Sequence, residues 1–111
     1  MPVPARQQNL VIVRSKTPPT VEIDTEAGAA YVRFKRAETR VVRTQQLPRP
    51  RIVVTLDFDR EGEVIGVELL GVKEFSVVKL LDVAQVRAPN ADLNMARYVG
   101  AGRRDLAAAA S

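Results

Sequence analysis

The chain has no cysteine, no histidine and no tryptophan, and only two tyrosines and three phenylalanines among 111 residues. Without cysteine and histidine it can form no structural disulfide and no Cys/His zinc site. The thiol nucleophile and the imidazole base are also missing. Long apolar runs are absent too. Leu10–Val13 is four residues long, against roughly 7–15 for a signal-peptide core and about 20 for a membrane-spanning helix. The expected location is therefore the cytoplasm, with no membrane contact. Catalysis is the function class with the least support, and no cofactor or metal is expected.

What is present suffices for one folded domain. Hydrophobic residues make up 46% of the chain, too many for a disordered segment. A domain of this size buries only about 65% of its unfolded surface, so self-association would help it. The net charge of +4 is unevenly laid out. Arg33 to Arg51 holds seven bases and one acid, whereas Asp57 to Glu74 holds six acids and two bases. Such blocks either pair across neighbouring strands or present a basic face to an anionic partner.

The most informative stretch is Arg51–Leu70, RIVVTLDFDREGEVIGVELL. Ile52, Val53, Val54 and Thr55 are β-branched and favour extended backbone, and Leu56 and Phe58 continue the alternation. Asp59-Arg-Glu-Gly62 reads as a tight turn, in which Asp59 accepts backbone N–H groups and Gly62 takes the left-handed conformation. Val64 to Leu70 is the return strand. With Arg60-Glu61-Gly62 as the loop, Phe58 faces Val64, Leu56 faces Gly66, Val54 faces Glu68 and Ile52 faces Leu70. Both sides of that hairpin are apolar and both ask for cover, one from a helix of this chain and the other from a second copy. Glu68, among apolar neighbours, then needs a basic or backbone partner.

Around this hairpin, Met1–Thr20 carries four prolines and three bases and reads as a flexible arm. Within it, Asn9–Arg14 could add as a strand to a sheet edge. Val21–Asp24 and Ala29–Lys35 form a hairpin turning at Thr25–Gly28. Ala30, Val32 and Phe34 lie on one face, and Tyr31, Arg33 and Lys35 on the other. Arg40–Leu47 is a weaker strand near an edge. Beyond Gly71 the period changes. Val77, Leu80, Leu81 and Ala84 mark one face of a helix over Ser76–Gln85, with Ser76 as N-cap. Pro89 ends it, and Asn90 caps a second short helix to about Val99, with Gly100 following. Ala101–Ser111 is a tail. The fold class is α+β: a four- to five-stranded antiparallel meander packed by one or two C-terminal helices, with the domain over residues 21–100.

Three segments, Asp24–Arg33, Arg43–Gln46 and Leu56–Leu70, together resemble a small bacterial family known only as domain of unknown function 2283. Its pattern is an acidic turn, a Tyr-apolar-Arg strand, Asp-x-Asp-x-x-Gly and a Gly-apolar-Glu-apolar strand. Here Gly28 stands where the second acidic residue is usual, and the terminal segments lie outside the pattern. The resemblance implies a compact antiparallel sheet with a helix and no assigned activity. Some relatives are encoded beside small toxin-like proteins, which implies an antitoxin-like role.

Two constellations bear on chemistry. Asp57, Asp59, Gly62, Val64 and Glu68 match a calcium loop in part, but the flanks alternate as strands. In the register above, Asp57 and Glu68 lie about 10 Å apart on opposite faces, so the ligands diverge. Tyr31, Arg33, Lys35, Arg40 and Arg43 offer one ring and several cations to an anionic partner such as nucleic acid. The expected function is a non-enzymatic protein-interaction module that associates with itself and with other proteins. The alternative is nucleic-acid binding or antitoxin-like regulation through the basic strands.

Overall fold

In the computed structural model, which describes residues 10–100, the chain runs β1 (Val11–Ile12), β2 (Thr20–Asp24), β3 (Ala29–Arg33), β4 (Arg43–Leu47), β5 (Val53–Phe58), β6 (Val64–Leu70), α1 (Val77–Ala84), β7 (Val86–Arg87), a 3₁₀ turn (Leu93–Met95) and β8 (Arg97–Gly100). Six strands form one sheet in the order β4-β5-β6-β3-β2-β8, antiparallel except for the β2–β8 pair. β1 and β7 form a separate parallel ladder. The α+β class and the antiparallel sheet hold. The simple meander does not, because β3 pairs with β6 rather than β4.

The helix forms where the period predicts. The Ser76 side chain accepts from the Lys79 amide, and Gln85 closes the helix in the left-handed region. The buried stripe Val77, Leu80, Leu81 and Ala84 packs in one cluster with Val21, Ala30, Val32, Phe34, Val54, Leu56, Val67 and Leu69. Each large side chain removed from water there contributes about 1.5–3 kcal/mol. Arg49 Nε donates to the Ala84 carbonyl at 2.7 Å, tying the β4–β5 loop to the last carbonyl of the helix. No helix among the described residues is long and apolar enough to cross a membrane.

Four expectations are corrected. First, the hairpin register changes partway. Phe58 faces Val64 as expected, but Asp57 pairs with Gly66, Leu56 with Val67, Thr55 with Glu68 and Val54 with Leu69. Ile65 is the extra residue of a β-bulge, and its carbonyl accepts from the Phe34 amide at 2.8 Å. One inserted residue flips every later side chain of that strand. Val67 and Leu69 therefore join Val54 and Leu56 in the core, and Glu68 leaves it.

Second, residues 97–100 are a strand, not the end of a helix. The segment ladders in parallel onto β2, and only the single 3₁₀ turn capped by Asp92 precedes it. Extended backbone lets Tyr98 and Val99 satisfy an edge strand, which outweighs the capping signal of Asn90. Third, residues 10–20, expected as part of an arm, lie on the domain, with Val11 and Ile12 paired to β7 and Val13 and Pro19 buried. Fourth, with β8 added, the main sheet has six strands instead of four or five. The C-terminal tail and the first nine residues of the arm lie outside the described residues.

Candidate functional site

Helix α1 covers one face of the sheet. The opposite face is open, and the bulge decides what it carries. Tyr31 of β3 is placed opposite Glu68, and Arg33 opposite Gly66. Asp57 of β5 is opposite Gly66 from the other side. The Tyr31 side chain crosses Gly66 diagonally, and its hydroxyl donates to Asp57 Oδ2 at 2.8 Å. A Cβ at position 66 would run into the ring atoms Cε1, Cζ and Oη, so only glycine leaves room for this crossing.

Asp57 accepts a hydrogen bond at each of its oxygens. Thr44 Oγ1 of β4 donates to Oδ1, also at 2.8 Å. The Arg33 guanidinium lies 4.9 Å from the Tyr31 ring centroid and bonds Glu22 Oε1 at 3.4 Å. Ala29 and Leu70 complete a small second cluster around the ring. Four strands thus contribute to one array of Glu22, Tyr31, Arg33, Thr44 and Asp57.

Glu68 stands next to this array without a partner. Among the described residues it makes no ion pair, contrary to the expectation of a paired, ionised side chain. Burial, and then the Asp57 charge, raise its pKa. Tyr31 is pushed far above the usual phenol range, chiefly by burial and further by its bond to Asp57. That is opposite to the direction a reacting phenolate requires. The network fixes protons and side chains in place.

The four cations and one ring expected to form one anionic-partner surface do not come together. Tyr31 is buried, and its ring offers no stacking face. Arg33 is held by Glu22, and Lys35 lies 3.9 Å from Asp59. Arg43 Cζ stacks 3.9 Å from the Phe58 ring, and its guanidinium donates to Gln45. Arg40 is exposed. Asp59 Oδ1 accepts from the amides of Glu61 and Glu63, and Gly62 turns at φ 80°, so Asp59 serves the turn. Among the described residues no three acidic side chains are grouped to hold a metal ion.

Sequence reasoning found Tyr31 and Arg33 but separated Asp57 from Glu68, which the structure puts on one face. One signal was available: a glycine inside a strand pattern marks a bulge or a close approach, and Gly66 marks both.

A family model described as protein of unknown function (DUF2283) matches residues 20–73, the span of β2 through β6. No curated protein and no solved structure matches the chain.

Proposed function

We propose, from the premise that the chain belongs to this family through residues 20–73, that it is a cytoplasmic protein-interaction domain that binds another copy of itself through the open face of its sheet. The reading is non-enzymatic. One observation carries it: the open face combines a rigid polar centre with exposed or half-exposed apolar residues. Val53 is 41% exposed, Val99 37% exposed and Leu70 partly buried. Asp57 and Thr44 are already ordered, by the Tyr31 hydroxyl and by each other, so a partner that settles on them loses little side-chain entropy. Interfaces of this kind combine an apolar patch with fixed polar groups and a polar rim.

Light scattering over a concentration series tests it. A dimer that dissociates on dilution and is weakened at least about tenfold by Val53→Asp is expected. A strictly monomeric protein at high micromolar concentration would overturn it. A pull-down from lysate with and without nuclease addresses the alternative. Capture of nucleic acid that declines steeply with salt would replace protein binding with the basic-strand reading.

A further inference from the structure

The open face has an unbalanced charge, and the same chain carries its complement. Asp57 and Glu68 lie on that face near each other, and among the described residues Glu68 has no cation. Covering an ionised carboxylate without a cation or donor is costly, so whatever covers this face must bring one. Arg40 is exposed and makes no ion pair or hydrogen bond among the described residues. Beside it, Val41 is 43% and Val42 53% exposed. A cation next to two bare valines is the chemical counterpart of Glu68 next to Val53 and Leu70.

The two features do not meet within the described residues of one chain. The Val42 amide donates to the Phe58 carbonyl at 2.9 Å, which places Val42 at one end of β5. Val53 is at the other end, paired with Leu70. The six residues of β5 separate them by about 17 Å. A twofold axis running across the strands, between two open faces, exchanges the two ends of β5. Each copy's 40–42 segment then lies over the other's Val53 end, and the contact is made twice, as an isologous interface requires.

We infer that in the self-associated protein Arg40 of each copy pairs with Glu68 of the other, while Val42 packs on Val53 and Leu70. The inference rests on the open-face reading above and adds the identity of the covering segment. It also accounts for the absence of a partner for Glu68 among the described residues.

Charge reversal tests it, because the two contacts are equivalent. Arg40→Glu alone sets two carboxylates against each other at both contacts, and Glu68→Arg alone does the same with two cations. Mixing the two variants restores an opposite pair at both. Each single variant, checked for native circular dichroism and melting, is expected to self-associate at least about tenfold more weakly than the parent. The equimolar mixture is expected to recover the dimer, and the parent dimer to weaken with added salt. If the parent is monomeric, both this inference and the open-face reading fall. If the parent dimerises, Val53→Asp disrupts it and neither charge reversal does, the reading stands and the Arg40–Glu68 pairing is wrong. Single variants that weaken the dimer but do not complement each other overturn the pairing as well.

Discussion

The Tyr31 hydroxyl reaches Asp57 across the bare backbone of Gly66, 2.8 Å from Oδ2 and 26 residues away in sequence. This contact spans three adjacent strands, β3, β6 and β5. It links the Tyr, Gly and Asp positions of the family pattern in one physical unit.

Removing the hydroxyl tests the value of that unit. Tyr31→Phe leaves Asp57 Oδ2 without its donor in a partly buried site. A loss of about 1–2 kcal/mol is expected, read from the urea midpoint at unchanged slope. A change below a few tenths would mean that water replaces the phenol.

Gly66→Ala approaches the same contact from below. The new methyl occupies space held by the Tyr31 ring, and a cost of about 1–3 kcal/mol is expected. In a Tyr31→Ala background the same methyl meets no ring, so most of that cost should vanish. A double-mutant cycle measures the coupling, which is expected to exceed about 0.5 kcal/mol. Additive effects would show that Gly66 is required for backbone reasons alone.

Asp59 isolates the turn. Its Oδ1 accepts from two amides and its side chain is largely buried. Asp59→Ala strips both bonds and should cost about 1–3 kcal/mol, whereas Asp59→Asn keeps an accepting oxygen and should recover most of the loss. Thermal melts of the two variants decide it. Equal losses would point to the charge facing Lys35 rather than to the turn.

Glu68 makes a pH-dependent contribution of the sign opposite to that of a salt-bridged acid. Burial and Asp57 raise its pKa in the fold, so the native state holds this proton more tightly than the unfolded chain does. The resulting stabilisation is fully present below the ordinary glutamate pKa and is lost as pH rises through the raised value. Glu68→Gln mimics the protonated form. In the dilute monomer its stability advantage should grow across that window and level off above it, as followed by urea titrations at a series of pH values. A difference that stays flat with pH would show that Glu68 is as well solvated in the fold as in the unfolded chain.

The helix was legible because its signals are local. Ser76 caps it, Val77, Leu80, Leu81 and Ala84 fall on one face, and all four are buried. The turn at Asp59–Gly62 was legible for the same reason, since Gly62 adopts the positive φ that its position requires. The open-face array was not legible. A strand's alternation says which residues share a face only while the register is unbroken, and Ile65 breaks it. Asp57 and Glu68, assigned to opposite faces by counting, share one by structure. Likewise, nothing in Arg97–Gly100 announces a strand until β2 offers it an edge.

Composition and short-range pattern alone determined that this chain forms an α+β domain without thiol or imidazole chemistry. They also determined where its strands turn and which helix face goes inward, because those properties follow from side-chain type and from periods of a few residues. Tertiary structure alone decided the order of the strands, the face on which each polar residue emerges and the isolation of Glu68. The last two depend on a one-residue bulge whose Ile65 carbonyl accepts from the Phe34 amide. Such a long-range balance leaves no trace in alternation except a glycine with room above it.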